Sequence, residues 1–450
     1  MSTFVSSRRV MLAGLGTVLV SRNVSAFAQT DSSRENAVAK HIVKDNMLGF
    51  DPGRLARIGP AIQTLIDKGA FPGAVTMIAR RGDIVHFETH GFQDAARTKP
   101  MARDAIFLQA SMTKPLVSAL AMQFVEEGRI KLGDPIALYL PELRDLKLEV
   151  SRNGQTEIVS PKRQPTVHDL LRHTAGFVYG AFVYGDGTPS ATVRQAYLSN
   201  NIEMREGPIT GDEMLQRLGK IPLAFEPGTH FLYSIGVDVL GLLLQRVSGQ
   251  RLDHVLNERL IRPLGLKDTA WFVPPEKRSR LAEAFNTDPL REPMWRRYDI
   301  LSDNADKAYL RGGIGLVSTV PDYFRFAQMI ANGGQLEGQR YLATPTVNLI
   351  LANHTAGMGG QGQGGSLEVG TGPGYGFGLG FAVRTQEGMG STPGSYGDAM
   401  WPGAWGTAFT IDRAEALVAI IMTQGPSSSR DLPFLWKDLV YGAMVESIRR

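Results

Sequence analysis

Strand-type alternation occurs near both ends of this chain, and a long stretch with helical periodicity separates the two strand regions. Near the amino terminus, residues 74–90 alternate around the turn Arg81-Gly82-Asp83, which predicts a β-hairpin. Near the carboxy terminus, strands are predicted over Phe377 to Val383 and over Trp405 to Gln424, the latter interrupted at Asp412-Arg413-Ala414-Glu415. A final helix is predicted from Pro433 to about Ile448.

The middle of the chain, from Thr113 to about Gly265, is mainly helical in pattern. A second hairpin interrupts it at Leu148 to Val159, around the strong turn pair Asn153-Gly154. Strands at both ends around a helical middle predict an α+β fold, with an antiparallel sheet built from both termini, flanked by helices. We assign residues of about 50–105 and 305–450 to the sheet part, and about 106–304 to the inserted helical part.

The first 28 residues have the pattern of a cleavable export signal. Ser7-Arg8-Arg9-Val10-Met11-Leu12 resembles the twin-arginine motif, and Ala26-Phe27-Ala28 is a small-residue cleavage site. The apolar run between them ends at Val20, which is shorter than the roughly 20 residues that a membrane-spanning helix needs. We therefore expect a periplasmic or secreted protein of residues 29–450, exported by the twin-arginine route, with no permanent membrane span.

The composition excludes several function classes. The formal charge of +4 falls by three, to +1, when Arg8, Arg9 and Arg22 of the export signal are set aside, so a basic nucleic-acid surface has no support. The chain contains no cysteine, which excludes thiol catalysis and disulfides.

Ser111 and Lys114 lie at the predicted start of an amphipathic helix. Residues i and i+3 share one face of a helix, so the Lys114 amine can reach the Ser111 hydroxyl and take its proton. The free N–H groups at a helix start favour the oxyanion that forms on an attacked carbonyl. An isolated match to this spacing is more often a capped helix with a solvated lysine, so the assignment depends on other residues. The helix is predicted from apolar residues at helical spacing before the stop signal Gly128: Leu116, Val117, Leu120, Ala121, Phe124 and Val125.

Two further landmarks follow Ser111 in a fixed order. Tyr233-Ser234-Ile235 precedes an apolar helix, and Trp401-Pro402-Gly403-Ala404 precedes a strand-like run. With these landmarks the chain resembles the superfamily of serine β-lactamases, penicillin-binding DD-peptidases and their esterase relatives. Within it, the chain resembles the class C β-lactamases and most of all the family VIII carboxylesterases. Four framework stretches carry the same resemblance: TVHDLLRHTAGF (166–177), LAFEPGTHFLYS (223–234), GGIGLVSTVPDYFRFAQMI (312–330) and GYGFGLGF (374–381).

The resemblance implies a β-lactamase/transpeptidase-like fold, with the active site in the groove between the sheet and the helical region. It implies that Ser111 attacks a substrate carbonyl, and that Lys114 accepts the proton directly or through the Tyr233 oxygen. Tyr233 would then protonate the leaving alcohol. The backbone N–H groups of Ser111 and Ala404 would form the oxyanion hole.

Two positions depart from the β-lactamase and DD-peptidase pattern. Ile235 stands where those enzymes carry an asparagine, and Trp401 stands where they carry a lysine that engages the substrate carboxylate. Both departures resemble the family VIII esterases, and they imply that Trp401, Gly403 and Ile235 contact a small or medium uncharged ester. Two alternatives stay open: a β-lactamase or D-amino-acid peptidase, and a penicillin-binding-like protein that is acylated without turnover.

Other motifs indicate neither a cofactor nor a metal. Residues 357–376 are rich in glycine, and Gly360, Gly362 and Gly365 satisfy GxGxxG, but a surface loop is favoured because no strand precedes them and no helix follows. The chain has no GxSxG, GxxxxGK or HExxH motif.

Two remaining features have structural interpretations. His168 and His173, near the end of one predicted helix, are expected to be structural polar residues rather than metal ligands or a catalytic base. The segment from Phe177 to Pro222 is irregular at its start and is predicted to overhang the site. The pattern does not indicate an oligomeric state.

Overall fold

The computed structural model describes residues 48–181, 190–292, 300–301, 308–358 and 372–449. The predicted export signal and the GxGxxG match lie outside these residues. Within the described ranges, no helix combines the length and the apolar character needed to cross a membrane.

The helices and strands follow the predicted alternation of strand-rich ends and a helical middle. The strands of the described residues are β1 (Gly73–Arg80), β2 (Asp83–Gly91), β3 (Phe107–Leu108), β4 (Leu148–Arg152), β5 (Gln155–Val159), β6 (Val317–Ser318), β7 (Gln335–Leu336), β8 (Gln339–Arg340), β9 (Tyr375–Phe377), β10 (Ala382–Arg384), β11 (Ala399–Gly403), β12 (Thr407–Asp412) and β13 (Leu417–Thr423). The α-helices are α1 (Pro52–Leu55), α2 (Ile58–Asp67), α3 (Thr113–Glu126), α4 (Val167–Leu171), α5 (Ala191–Ser199), α6 (Gly211–Leu218), α7 (Gly236–Ser248), α8 (Leu252–Leu256), α9 (Val320–Ala331), α10 (Thr344–Ile350) and α11 (Leu432–Ala443).

A seven-stranded antiparallel sheet joins the two ends of the described chain. Its spatial order is β2-β1-β13-β12-β11-β10-β9. The early strand β1 pairs with the last strand β13, from Ala74 opposite Thr423 to Arg80 opposite Leu417. This pairing confirms the predicted fold class, an antiparallel sheet built from both termini with a mainly helical region between them.

Both predicted hairpin turns are present. Arg81 and Gly82 have φ values of 54° and 87°, and Asn153 and Gly154 have φ values of 54° and 77°. Positive φ at both central residues is the signature of a type I′ turn, whose twist fits the two flanking antiparallel strands. The Arg-Gly-Asp tripeptide is therefore part of a hairpin turn, as expected.

Helices cover both faces of the sheet. Ile58, Ile62 and Ile66 of α2, together with Trp436 and Val440 of α11, pack against apolar side chains of β1 and β13. On the other face, α9 packs against β12 and β13. Because both faces are covered, β1 is buried along its whole length, although its sequence alternates.

Two sequence predictions are wrong near the carboxy terminus. The single strand predicted over Phe377 to Val383 is a hairpin of β9 and β10, because Gly380 at φ 87° allows the chain to reverse. The last helix ends at Ala443 rather than near Ile448. Beyond it, Met444 has an extended backbone. The N–H groups of Val445 and Glu446 donate to the Gly49 carbonyl instead of continuing the helix.

A buried arginine binds both ends of the described chain to the sheet. The Arg80 guanidinium, at the end of β1, donates to the Glu415 carboxylate at 2.6 Å and to the carbonyls of Leu48 and Glu446 at 2.7 Å each. Arg80 and Glu415 are both buried, so each charge depends on the other for compensation.

Helix α3 begins close to the predicted position but differs in character. Ser111 lies in a 3₁₀ turn, Ala110–Met112, that leads directly into the helix at Thr113. The helix ends at Glu126, and Gly128 has a φ of 67°. The predicted amphipathic helix is instead buried on all sides from Thr113 to Met122, because helices and sheet surround it.

Strand β11 lies directly against the turn that carries Ser111. The Thr407 hydroxyl, opposite Gly403 in the ladder, donates to the Gln109 carbonyl at 3.3 Å. A Cβ atom at Gly403 would lie only 2.3 Å from that carbonyl oxygen and 2.1 Å from the Thr407 hydroxyl. The absence of a side chain at Gly403 therefore allows β11 to approach the serine turn.

We predict that Gly403→Ala lowers both stability and activity, because the new methyl group must push β11 away from Gln109. Such overpacking typically costs about 1–3 kcal/mol in the free energy of unfolding, and denaturant unfolding would measure it. Gly442→Ala in α11 is the matched control, since its Cβ meets no atom within 4 Å. Equal stability of the two variants would contradict the close approach at Gly403.

Candidate active site

The Ser111 hydroxyl has two polar partners from different parts of the fold. The Tyr233 hydroxyl donates to Ser111 Oγ at 2.6 Å, and Lys114 Nζ lies 3.4 Å from the same oxygen. Ser111 is 9% exposed, so its side chain is close to solvent but mostly enclosed. The structure thus brings together the three residues predicted to carry the chemistry.

Lys114 is completely buried and has three polar neighbours. Besides Ser111, its Nζ lies 2.9 Å from the Gly313 carbonyl oxygen and 3.2 Å from the Tyr179 hydroxyl. It also lies 4.5 Å from the centre of the Tyr233 ring. Burial lowers the pKa of Lys114 to about 7; the negative charge of Asp238 opposes this shift, and the positive charge of Arg311 adds to it.

A buried ion pair fixes the carbonyl group that Lys114 contacts. Asp238, in the first turn of α7, accepts the Gly313 N–H at 3.0 Å and an Arg311 N–H at 3.3 Å. Both charged side chains are buried. The sequence prediction missed this pair, although an acidic residue on a strongly apolar helix was an available signal.

Aromatic side chains surround the Tyr233 ring. The rings of His173, Tyr179 and Trp401 have their centres 4.9, 5.4 and 5.1 Å from that of Tyr233. Trp401 also donates its Nε1–H to the Tyr233 hydroxyl at 3.3 Å. This packing restricts the orientation of the Tyr233 ring, and the hydroxyl has a donor on one side and Ser111 on the other.

Tyr179 is a site residue whose role the sequence did not reveal. It lies at the start of the segment from Phe177 to Pro222, which was predicted to overhang the site, and its side chain is buried beside Lys114. Burial raises the pKa of Tyr179 well above its ordinary value, with smaller contributions from Tyr233 and Asp238. Tyr179 therefore stays protonated and offers Lys114 a neutral hydroxyl.

Besides Ser111, four residues were predicted for the oxyanion hole and substrate contact, and they lie in different settings. Trp401 and Gly403 are buried on β11, next to Tyr233 and Gln109. Ala404 is half-buried in the turn between β11 and β12, just beyond the last ladder pair, Gly403 with Thr407. Ile235, directly before α7, is completely buried and offers a substrate no exposed surface.

The two histidines of the predicted helix end each share a hydrogen bond with another side chain. His168 shares a hydrogen bond of 2.9 Å with His354, and His173 shares one of 3.3 Å with the Ser234 hydroxyl. Burial lowers the pKa of His168 to about 4 and holds that of His173 well below its ordinary value. Both rings are therefore neutral near pH 7, and His173 packs against Tyr233.

Comparisons with known proteins agree on one family. Esterase EstB of Burkholderia gladioli is 28% identical over 402 residues, covering 86% of this chain and 95% of that protein. An uncharacterised protein of Mycobacterium tuberculosis is 32% identical over 370 residues, covering 81% and 88%. Among solved structures, EstCE1, a hydrolase with promiscuous acyltransferase activity, has a TM-score of 0.70 at 27% identity, covering 87% of this chain and 99% of its own. Because the β-lactamase family model also matches residues 59–440, which include all the residues of this site, the chain belongs to the β-lactamase family.

Proposed function

We propose that this protein is a serine hydrolase that cleaves carboxylic esters through a covalent acyl-enzyme on Ser111. The observation that carries the proposal is the position of the Ser111 hydroxyl, between the Tyr233 hydroxyl at 2.6 Å and the buried Lys114 amine at 3.4 Å. A serine hydroxyl becomes a nucleophile when an adjacent base takes its proton, and this geometry offers such a base.

Lys114 acts as the base in its neutral form. A neutral amine has two N–H donors and one lone pair, and Lys114 has three partners that match them. The Gly313 carbonyl and the Tyr179 hydroxyl accept hydrogen bonds from the two N–H groups of the amine. The lone pair of the amine is therefore available to accept the Ser111 proton. With a pKa of about 7, a large fraction of Lys114 is neutral at neutral pH.

The attacked carbonyl requires stabilisation of its negative oxygen. We assign this role to the backbone N–H groups of Ser111, in the turn before α3, and Ala404, in the turn after β11. The hydrogen bond from the Thr407 hydroxyl, at the start of β12, to the Gln109 carbonyl supports the assignment, because it holds these two turns together. Removal of one such donor typically lowers the rate about 10²- to 10³-fold.

Tyr233 transfers a proton to the leaving alcohol. Its hydroxyl donates to Ser111 Oγ, which becomes the ester oxygen of the acyl-enzyme, so the leaving oxygen departs close to this donor. The Lys114 ammonium, 4.5 Å from the Tyr233 ring centre, and the Trp401 N–H both stabilise the phenolate that forms. Water then attacks the acyl group, activated by the same Tyr233 and Lys114, and Ser111 regains its proton.

An ester rather than a β-lactam is the preferred substrate because the site lacks two polar groups. Trp401 presents an indole ring where β-lactamases and DD-peptidases carry a lysine, and Ile235 replaces their asparagine. The sequence similarity to esterase EstB and EstCE1 supports the same choice. Small or medium uncharged esters are therefore the proposed substrate class.

We also propose that the hydrolase domain comprises residues 29–450 and is exported to the periplasm or secreted. The twin-arginine pattern around Arg8 and Arg9 and the small residues Ala26 to Ala28 support this proposal.

Ser111→Ala is expected to abolish ester turnover. Steady-state hydrolysis of p-nitrophenyl acetate and butyrate should fall at least about 10³-fold, because the nucleophile is lost. Ser118→Ala is the matched control: this serine is buried on the same helix, and its hydroxyl has no hydrogen-bond partner among the described residues.

The same assay separates the alternatives. Preferential turnover of a chromogenic cephalosporin by the unmodified protein would indicate a β-lactamase, and one round of acylation without turnover would indicate a binding protein. Ester turnover that persists in Ser111→Ala would exclude Ser111 as the nucleophile.

The activity is expected to rise with pH through about pH 7. Burial lowers the pKa of Lys114 to about 7, and the protonated amine cannot act as the base. Well below this pH, kcat/KM should therefore fall about tenfold for each pH unit, and above it kcat/KM should level off. A profile of kcat/KM for p-nitrophenyl butyrate measures this; a value independent of pH on the acidic side would argue against Lys114 as the base.

Trp401→Phe is expected to lower kcat/KM for esters about tenfold. The phenylalanine keeps an aromatic wall but lacks the N–H that donates to the Tyr233 hydroxyl, and a lost hydrogen bond typically costs about 0.5–1.5 kcal/mol. Trp436→Phe, on the opposite face of the sheet, is the matched control and should retain full activity. Identical kinetics of the two variants would limit Trp401 to core packing.

A further inference from the structure

Three potential metal ligands lie on one face of the edge strand β2. His86, Glu88 and His90 alternate along this strand, so their side chains point to the same side. One donor atom from each side chain lies within 4.8 Å of the donor atoms of the other two. Thr76 of β1 stands opposite Glu88 in the ladder, between the two histidines.

We propose that His86, Glu88 and His90 bind a transition-metal dication of the zinc type. Two imidazoles and one carboxylate form a ligand set that suits Zn²⁺, whereas Ca²⁺ and Mg²⁺ prefer oxygen ligands alone. The proposal concerns a site separate from Ser111. The sequence analysis predicted no metal site. The pattern His-x-Glu-x-His brings its three side chains to one face only when the segment is a strand.

Thr76 holds both imidazole rings in place. Its hydroxyl lies 2.8 Å from His86 Nε2 and 3.0 Å from His90 Nε2. The hydroxyl also lies 3.4 Å from the backbone carbonyl oxygen of Glu88. With its single proton donated there, its oxygen accepts an Nε2–H from each ring, and each ring then has a lone pair on Nδ1 for the metal. Metal-binding histidines commonly have such a hydrogen-bonded second nitrogen, which fixes the tautomer.

A carboxylate lies close to the two imidazole rings. The Glu88 carboxylate lies 3.8 Å from His86 Nδ1, too far for a hydrogen bond but suitable for a shared metal ion.

The cluster is covered on one side and reaches solvent through Glu88. The first turn of α2 lies over it at Gly59, where a Cβ atom would lie 3.8 Å from both Glu88 Oε2 and the His90 ring. The Glu88 side chain is 54% exposed, whereas the two histidines are buried. An ion would therefore reach the cluster from the side of Glu88.

The proposed site is far from Ser111 in the topology. It lies on the edge strand, on the face that α2 covers, and β1, β13 and β12 separate this strand from β11 with its Trp401. Metal binding and ester hydrolysis can therefore be tested independently.

The test uses tag-free protein, treated with a chelator and titrated with ZnCl₂ by calorimetry. We expect one Zn²⁺ per chain and a thermal unfolding midpoint that rises with the Zn²⁺ concentration, since a ligand that binds only the folded state stabilises it. Co²⁺ substitution should give the absorption bands of a nitrogen and oxygen ligand set. Glu88→Gln, an exposed and conservative change, should weaken binding at least about 10-fold and leave ester hydrolysis unchanged.

His354→Gln is the matched control, because His168 and His354 form the other close histidine pair of the described chain. This variant should bind Zn²⁺ as the unmodified protein does. Lack of saturable binding would overturn the proposal, as would binding that is lost in His354→Gln but kept in Glu88→Gln. His90→Asn adds a second ligand variant, and unchanged affinity in it would also overturn the proposal.

Discussion

The burial of the Lys114 amine is the constraint on which the rest of the site depends. A lysine completely removed from water loses its proton easily, and that loss turns an ordinary side chain into a base near neutral pH. The burial is possible because α3 runs through the centre of the fold and is enclosed along most of its length. Beside Lys114, the opposite charges of Asp238 and Arg311 neutralise each other. This pair also positions Gly313, whose carbonyl accepts a Lys114 N–H.

The sheet contributes to the same site through backbone contact rather than through charge. Trp401 of β11 donates a hydrogen bond to the Tyr233 hydroxyl. The same strand lies against the turn that contains Ser111, because Gly403 has no side chain. The aromatic rings around Tyr233 come from β11, from the segment at Tyr179 and from His173 beyond α4. Elements that are distant in sequence therefore meet within a few ångströms of one hydroxyl, so the geometry of the site depends on the position of β11 relative to the helical region.

The edge of the sheet at β2 has a different organisation. Next to this strand, at the end of β1, the buried Arg80 binds Glu415 and the carbonyls of Leu48 and Glu446, so both ends of the described chain meet there. His86, Glu88 and His90 lie on β2 itself, beneath α2. An edge strand has a ladder partner on only one side, so the proposed ion would add contacts to β2 where a partner is missing.

The sequence by itself predicted the fold class, both hairpin turns and the helix after Ser111, because turn residues and periodicity are local properties. The set of Ser111, Lys114 and Tyr233 came from the resemblance to a known family. The tertiary structure alone decided that α3 is enclosed rather than amphipathic, and that a hairpin replaces the strand predicted over Phe377 to Val383. It also decided that Ile235 is buried, that Asp238, Arg311 and Tyr179 surround Lys114, and that His86 and His90 share the Thr76 hydroxyl. These features depend on contacts between residues far apart in the chain, and such contacts leave no periodic signal in the sequence.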